Sequence, residues 1–399
     1  MSGALSSPAG ASSYAPPEGL ADLRRGALLV GGAALVLGVA GGIADPVRFF
    51  RAYLVAFVYW VSIALGCFGI AMLHHLSRGA WGLMIRRVLE AAARTLPLTA
   101  LMFLPLLFGL RDLYHWARPE EVRADPLLRH QTVYLNVPFF AGRAALYFAV
   151  WWTFAYLLDR MSRRQDATGD PALSRRMQVV SAPGLALYCL TATFASIDWL
   201  MSLDSHWSSA IYGFYFVGGQ ALSGLAFVIL VALYLARHRP MSEVFRPIHF
   251  HDYGKLLLTF VVLWAYFNAS QLIIIWQGNL AEEIPWYQGR LLGAWRWVSL
   301  LLAILHFALP FFLLLSRDLK RDVGRLAGVA LLLLVMRWVD VYWLAAPAFL
   351  PDHVAIHWLD LVLPIGLGGI WIGAFAGELL KRPLLPVNDP FLAEALDHA

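Results

Sequence analysis

Residues 52–76 read AYLVAFVYWVSIALGCFGIAMLHHL, a stretch without any Asp, Glu, Lys or Arg. The hydrocarbon core of a bilayer is roughly 30 Å thick, so a helix needs about 20 mostly apolar residues to cross it. This stretch is long and apolar enough to do so. It predicts a transmembrane helix, and the same pattern recurs on both sides of it.

The rest of the chain is built in the same way. Of its 399 residues 60% are hydrophobic and 14% are charged, well below the roughly 25% charged residues of a soluble domain. We therefore predict an all-α, polytopic integral membrane protein with about ten transmembrane helices. The predicted spans are 24–43, 52–76, 95–111, 138–158, 181–203, 211–236, 255–277, 295–316, 325–344 and 357–380.

The connections between these spans are short, which predicts one membrane domain over residues 24–380. Residues 1–23 are expected to form a disordered cytoplasmic tail, and residues 381–399 a cytoplasmic C-terminal tail. Cytoplasmic loops carry an excess of Lys and Arg. Most of these residues lie at the N-terminus, at the C-terminus and in the connections between spans 2 and 3, 4 and 5, 6 and 7, and 8 and 9. Both termini are therefore predicted to be cytoplasmic. The net charge of +5 therefore indicates topology, and no nucleic-acid partner is expected.

Cofactor motifs are absent from the sequence. The two cysteines, Cys67 and Cys189, lie in apolar stretches, and no C-x-x-C or C-x-x-C-H occurs. Disulfides, iron–sulfur clusters and attached c-type haem are therefore not expected. His306 has no second mid-membrane histidine to complete a b-type haem site, and the zinc pattern H-E-x-x-H does not occur. We predict no cofactor bound by this chain, no metal and no catalytic residue.

Polar residues inside predicted spans are the candidate functional residues, because a charge within the bilayer is costly and is usually paired or functional. Asp, Glu and His can relay protons, so these residues predict a proton path across the bundle. Its outer part comprises Asp198, Asp204, His206, Arg337, Asp340, His357 and Asp360. Its middle and cytoplasmic parts comprise Gln220, Asn268, Gln271, His306, His74 with His75, and Glu378.

A purely structural explanation competes with this path for several residues. Two oppositely charged residues three positions apart on a helix can neutralise each other. A carboxylate at the start of a helix is also stabilised by the helix dipole. Such pairs are Arg337 with Asp340, His357 with Asp360, and Glu378 with Lys381. His306 could be a core histidine bonded to a carbonyl. Asp198 has no Lys or Arg on its own helix or in the next connection, which implies a partner on another helix or a protonated carboxyl.

Four stretches carry a resemblance to a known family. They are SIDWLMSLDSHWSSAIYG (196–213), IWQGNLAEEIPWY (275–287), HFALPFFLLLSRDLK (306–320) and KRPLLPVNDP (381–390). Together they resemble the smaller polysulfide-reductase-like (NrfD-like) membrane subunits of alternative complex III. Ser205, Ser208 and Ala281 depart from that pattern, but none of these changes removes an ionisable group.

This resemblance implies two four-helix bundles with one flanking helix at each end, in the cytoplasmic membrane of a bacterium. It also implies a complex that oxidises quinol and passes electrons to cytochrome c or to an oxidase. The expected partners are a larger paralogous membrane subunit, a multihaem cytochrome c subunit, an iron–sulfur subunit, small membrane subunits and the lipid bilayer. The haems and iron–sulfur clusters would belong to those other subunits, and this chain would contribute scaffold and a proton path.

Two other functions remain open on the sequence. The chain could bind quinol directly in an aromatic pocket near Trp199, His206, Trp207 and Tyr212, against the alternative that these rings form an interfacial belt. It could also be a secondary transporter, a class whose helices are broken at matching positions in two halves. Gly218–Gly219, Pro310 and Gly366–Gly369 interrupt helices here, but they do not form an evident matching set.

Overall fold

The computed structural model describes residues 14–397, and this part of the chain is helical, with no β-strand in it. Residues 1–13 of the predicted N-terminal tail lie outside the described residues. Ten long helices run along one bundle. They are α1 (Gly19–Ala44), α2 (Pro46–Ser77), α3 (Ala80–Phe108), α4 (Val137–Thr168), α5 (Ala172–Leu203), α6 (Tyr212–Ala236), α7 (Pro247–Gly278), α8 (Trp295–Leu315), α9 (Val323–Ala348) and α10 (Trp358–Leu379). The predicted all-α, polytopic membrane fold is confirmed.

Both ends of the described chain lie at the same end of the bundle. The backbone N–H of Leu384 donates to the carbonyl oxygen of Tyr14 at 2.8 Å. We call this the terminal end, and the other the opposite end. A chain that starts and finishes at one end must cross the bundle an even number of times.

Within residues 14–397, nine helices are long and apolar enough to cross a membrane, and α4 is the tenth long helix. Arg143 and several Tyr and Trp side chains lower the mean hydropathy of α4. It nevertheless spans the bundle. Arg143 near its start contacts Asp198 at the opposite end, and Asp166 near its end contacts Arg87 at the terminal end. The described residues thus contain ten helices that run through the bundle, nine of them apolar enough to cross a membrane.

Helix α2, which holds the stretch 52–76, lies at the centre of the bundle and is buried along nearly its whole length. A helix that is apolar on all sides is expected in such a position. Asp45 caps the start of α2, because its side chain accepts a hydrogen bond from the backbone N–H of Arg48. Pro46 is the first residue of the helix, a position that suits proline. Arg78 and Gly79, both with positive φ, end it at the terminal end.

The helices form two groups of four. Helices α2 to α5 pack together, and so do α6 to α9. The groups join where α2 and α6 touch: a Cβ on Gly66 would lie 1.9 Å from the carbonyl oxygen of Gln220. Helices α1 and α10 pack along each other outside these groups, with Gly31 against Gly369. This arrangement agrees with two four-helix bundles and a flanking helix at each end.

Helix α3 differs from its predicted span. It begins at Ala80, not at 95, and is interrupted by a turn at Arg94 and Thr95. Arg86, Arg87 and Glu90, which the sequence places in a loop, are therefore buried on a helix. They fit there because neighbouring acids and bases neutralise them, an effect that hydropathy does not include.

Residues 109–136 cover the opposite end of the first group. Four short helices follow one another there, namely Leu110–Leu113, His115–Ala117, Pro119–Ala124 and Pro126–Gln131. Tyr114, Trp116 and Leu128 are buried beneath them. The amide nitrogen of Gln131 donates to the carbonyl oxygen of Ser205 at 2.9 Å, which ties this segment to the end of α5.

The segment after α10 packs onto the bundle. Leu384 and Leu385 are buried, and a last helix, Leu392–Asp397, lies against α3. Asp389 binds Arg86 at 2.6 Å. Up to residue 397, the predicted cytoplasmic tail is thus a folded part of the terminal end.

Helix α8 contains a π-helical segment, Leu302–Ala308. Pro310 follows it, and proline has no N–H for the carbonyl oxygen of His306. The wider turn accommodates that missing hydrogen bond. Such segments are frequent at functional sites.

Candidate functional site

The centre of the second four-helix group holds a buried cluster of five side chains. They are Tyr215, Trp264, His306, Arg337 and Asp340, from α6, α7, α8 and α9, and we call them the central cluster. Asp340 accepts hydrogen bonds from the Tyr215 hydroxyl, from Arg337 and, at 3.2 Å, from the Trp264 indole. The side chains of Arg337 and Asp340 are fully buried.

His306 lies beside this carboxylate network but is not bonded to it. Its ring contacts Trp264 with 4.2 Å between ring centroids, and neither ring nitrogen has a hydrogen-bond partner among the described residues. The Nε and Nη2 atoms of Arg337 are likewise buried without a partner. Buried polar groups are nearly always paired, so unpartnered atoms gathered at one place indicate a site with a further role.

Gly219 makes room for this cluster. A Cβ on Gly219 would lie 2.4 Å from the Cζ of Arg337, so only glycine fits against the guanidinium.

The next residue, Gln220, accepts a hydrogen bond from the Tyr188 hydroxyl at 2.5 Å. Its predicted mid-bundle position is therefore at the contact between α5 and α6, with its own amide nitrogen unpartnered.

Asp198 has its partner on another helix, one of the two outcomes that the sequence implied. Arg143 of α4 donates to both carboxylate oxygens, at 2.9 and 2.8 Å, and the Tyr147 hydroxyl donates at 2.7 Å. The same guanidinium donates to the carbonyl oxygen of Tyr134 at 2.7 Å and lies 3.7 Å above its ring. Asp198 is thus held by three hydrogen bonds.

The structure separates the predicted outer residues into several places. Asp198 and Asp340 belong to different helix groups and have different partners. Asp360 accepts the backbone N–H of His357 at 2.8 Å and caps α10. The residues do not form one hydrogen-bonded cluster within 14–397, so a path between them would need water.

Asp204 and His206 lie at the surface of the opposite end. They line an opening of about 700 Å³ with His115, Glu121 and Asp125. The His206 ring binds Asp125 at 2.8 Å, and the His206 side chain is 64% exposed. Within the described residues, no group of three His, Cys, Asp or Glu residues could hold a metal ion.

Two acids of this opening have shifted pKa values. The hydrogen bond from Arg118 is the main cause that lowers the pKa of Glu121. Partial burial would raise the pKa of Asp125, but the N–H groups of Leu127 and Leu128 and the His206 ring together lower it. Both carboxyls therefore remain ionised to lower pH than free carboxyls do.

Only part of the suggested quinol pocket comes together, because Trp207 contacts Tyr212 whereas Trp199 lies elsewhere. Trp199 is fully buried among rings of the first helix group, including Phe57 and Trp151. Trp207 stacks on Trp286 at 4.2 Å, and Tyr212 meets its edge. Each set of rings fills its own part of the bundle.

Arg290, a buried arginine beside the Trp207–Trp286 stack, was not among the predicted site residues. Arg290 lies 3.6 Å above the Trp286 ring and donates to the carbonyl oxygens of Trp286 and Leu344, both at 3.1 Å. Burial lowers the pKa of its guanidinium to about 10. Nearby, Gln271 contacts Ser209 and Tyr287 at 3.1 Å each, whereas Asn268 is only partly buried on α7.

The terminal end holds a network of ion pairs. Glu378 binds Lys381 at 2.5 Å, as its spacing suggests, and also Arg94 of α3 at 3.0 Å. The full set of charged residues is Arg86, Arg87, Glu90, Arg94, Asp159, Arg163, Asp166, Glu378, Lys381, Arg382 and Asp389. His74 and His75 lie close by, in a cavity of about 220 Å³ with Asp389.

Part of this network was detectable in the sequence. Arg86, Arg87 and Glu90 are spaced by three and four residues, as ion pairs on one helix face are. Tyr215 and Trp264 of the central cluster were not detectable, because single aromatic residues are common in every span of this chain.

Fold and site together define a polytopic helical membrane protein whose bundle encloses paired charges. No family model matches this chain, and no curated protein matches it.

Proposed function

We propose that this chain is a non-catalytic membrane subunit of a quinol-oxidising complex, and that it carries protons through its second helix group. The observation that supports this most is the central cluster, where His306 has two unpartnered ring nitrogens beside the Arg337–Asp340 pair. An imidazole can both take up and release a proton, which a relay requires.

The structural alternative explains only part of this cluster. Arg337 and Asp340 neutralise each other, and a buried pair of this kind needs no further role. It does not account for a histidine left unpartnered in a π-helical segment, where a bond to a carbonyl oxygen would satisfy it. Asp198 behaves differently, since Arg143 and Tyr147 occupy its carboxylate. We therefore assign Asp198 to structure and the central cluster to proton transfer.

The wider path combines groups at both ends. His74, His75 and Glu378 lie at the terminal end, and Asp204 and His206 line the opening at the opposite end. With cytoplasmic termini, the opposite end would face outward. Quinol oxidation releases two protons for each two electrons, and this path would connect such protons with water.

The setting follows from the resemblance to alternative complex III. The larger paralogous membrane subunit, the multihaem subunit and the iron–sulfur subunit would supply the quinol site and the redox centres. The largely buried ion-pair network at the terminal end and the double bundle suit a scaffold beside such partners. Electrons would pass to cytochrome c or to an oxidase without entering this chain.

The test uses the assembled complex in liposomes. His306→Phe keeps a ring against Trp264 but removes both nitrogens, and Asp340→Asn removes the ionisable carboxyl. Each should lower quinol-driven proton movement or quinol:cytochrome c turnover at least about tenfold, because a relay group contributes roughly that or more. His238→Phe is the matched control, since His238 lies in the connection after α6.

Full turnover with full proton movement in both variants would reject the proton role. The subunit role is tested separately. Affinity purification of this chain should bring down a multihaem and an iron–sulfur protein, and recovery of the chain alone would contradict it.

A further inference from the structure

A cavity of about 220 Å³ lies at the terminal end of the bundle, and we call it the vestibule. Its inner part is lined by His74, His75 and Met177, which are buried on α2 and α5. Its mouth lies between the exposed residues Arg78 and Glu394. A cavity needs only about 10–15 Å³ and a few polar partners to hold a water molecule. The vestibule meets both conditions.

The two histidines at the bottom of the vestibule are almost closed off from the surface. His74 is 5% exposed and His75 is 8% exposed. Helix α3 packs directly against His74, since a Cβ on Gly82 would lie 1.9 Å from its Nδ1. This nitrogen is buried and has no hydrogen-bond partner among the described residues. Both histidines line the vestibule, so water that enters it reaches them.

The walls of the vestibule differ in how firmly they are held. Three of them belong to the long helices α2, α3 and α5. The remaining wall is part of the segment after α10, and we call residues 390–397 the lid. The lid contains one helix of six residues, Leu392–Asp397. A helix this short is not stable by itself and depends on its packing against the bundle.

An anchor precedes the lid. The Asp389 carboxylate binds Arg86 of α3 at 2.6 Å and accepts the backbone N–H of Phe391 at 3.0 Å. The amide nitrogen of Asn388 donates to the carbonyl oxygen of Asp166 at 2.6 Å. These bonds fix the chain to α3 and α4 as far as Asp389.

Beyond this anchor, the lid is fastened by apolar and aromatic contacts. Its buried side chains are Leu392 and Ala395. The guanidinium of Arg78, which also donates to Gln178 at 2.9 Å, lies 5.2 Å from the centre of the Phe391 ring at the mouth. A short segment held by a small buried apolar surface opens locally at a much lower free-energy cost than the long helices around it.

We propose that residues 390–397 are a moving lid, which controls how water and protons at the terminal end reach His74 and His75. In the closed position, Phe391 and Arg78 narrow the mouth of the vestibule. Release of the lid exposes the imidazoles, while the ion pair of the anchor stays in place. The role in proton access rests on the proposed proton path, whereas the opening itself does not.

The test is the modification of histidines by diethyl pyrocarbonate in the purified full chain, followed by mass spectrometry of its peptides. In the wild type, His74 and His75 should react at least about tenfold more slowly than the exposed His130, because they react from the open position. The double variant Phe391→Ala, Leu392→Ala should raise their rates at least about tenfold, since truncated apolar side chains hold the lid less tightly.

Phe312→Ala is the matched control, because it removes an exposed ring from α8 in the other helix group. It should leave the reaction rates of His74 and His75 unchanged. Two results would overturn the proposal. One is a wild type in which both histidines react as fast as His130, and the other is equal rates in the wild type and the double variant.

Hydrogen exchange of the wild type, corrected for intrinsic rates, needs no variant. The amides of Leu392–Asp397 should exchange at least about tenfold faster than the helical amides of α3, because the lid opens without the bundle. Equal protection would overturn the proposal even if the double variant does not fold. Neither measurement depends on proton movement, so a failure of the lid is distinguished from a failure of the proton path.

Discussion

At the scale of single residues, the bundle holds its acids in two ways. Asp198 has strong hydrogen bonds to both carboxylate oxygens, from a bidentate arginine and a tyrosine. Asp340 has comparable partners, but the groups next to it, His306 and part of Arg337, keep unpartnered polar atoms. The hydrogen bonds around Asp198 hold its carboxylate in place. The unpartnered atoms beside Asp340 are free to bind a proton or a water molecule.

Replacing Asp198 by Asn should therefore reduce stability strongly. The change would leave the buried guanidinium of Arg143 without a charged partner, a loss of about 3–5 kcal/mol for a buried pair. The measurement is the denaturant midpoint of the purified chain in detergent. Asp204→Asn is the control, because the described residues give that carboxylate no hydrogen bond. Equal midpoints for the two variants would show that Arg143 does not depend on Asp198.

At the scale of helices, close approach depends on glycine at particular contacts. Helix α1 is mostly exposed along its length and is held mainly by α10. At that contact a Cβ on Gly369 would lie 2.5 Å from the Cα of Gly31 and 2.5 Å from the carbonyl oxygen of Ala27. These are backbone atoms, which cannot move aside as a flexible side chain can.

We expect Gly369→Ala to lower the unfolding free energy by about 1–3 kcal/mol, as overpacking usually does. Gly32→Ala is the matched control, since nothing lies within 4 Å of its Cβ. That variant should be neutral or more stable, because alanine favours a helix by roughly 1 kcal/mol over glycine. Thermal unfolding in one detergent compares the two, and equal shifts would argue against tight α1–α10 packing.

The two irregular helices have separate physical causes. Helix α3 carries buried charges because the ion-pair network at the terminal end surrounds Arg86 and Glu90. Helix α8 widens at Leu302–Ala308 because Pro310 withholds a hydrogen bond. Only the second cause is local, which is why Pro310 was noticeable in the sequence and the position of α3 was not.

At the scale of the whole molecule, the covering segment 109–136 should respond to pH. The pKa values of Glu121 and Asp125 are lowered in the folded state, so their stabilisation is complete above the unfolded pKa of about 4. It is lost as pH falls through the lower folded values. As the pH falls below about 4, this segment should therefore open more readily, whereas the opening of the bundle should not change.

Hydrogen exchange between pH 3 and 6, corrected for intrinsic rates, measures this opening. Amide protection in 109–136 should fall at the acid end of the range, and that in α2 should not. The double variant Glu121→Gln, Asp125→Asn should show little pH dependence in the segment. Identical profiles for the variant and the wild type would exclude these two carboxyls as the cause.

The ten long helices of this chain were largely determined by its sequence. They include α4, the one long helix whose hydropathy is too low to identify it by hydropathy alone. The transfer of a helix into a membrane depends on the summed hydropathy of its own residues. Each span could therefore be predicted from its own stretch of sequence. The same local reasoning placed Asp198 on a helix without a basic neighbour and so implied a partner elsewhere.

Only the tertiary structure decided which polar groups meet. Arg143 reaches Asp198 and Tyr215 reaches Asp340 through the rotation and register of different helices, and Arg86 reaches Asp389 because the segment after α10 packs onto α3. Those depend on packing details such as Gly66 against Gln220, which no single stretch contains. The sequence predicted a bundle with charges inside it. The packing of the helices separated those charges into a fixed pair, a central cluster with free nitrogens and an ion-paired end.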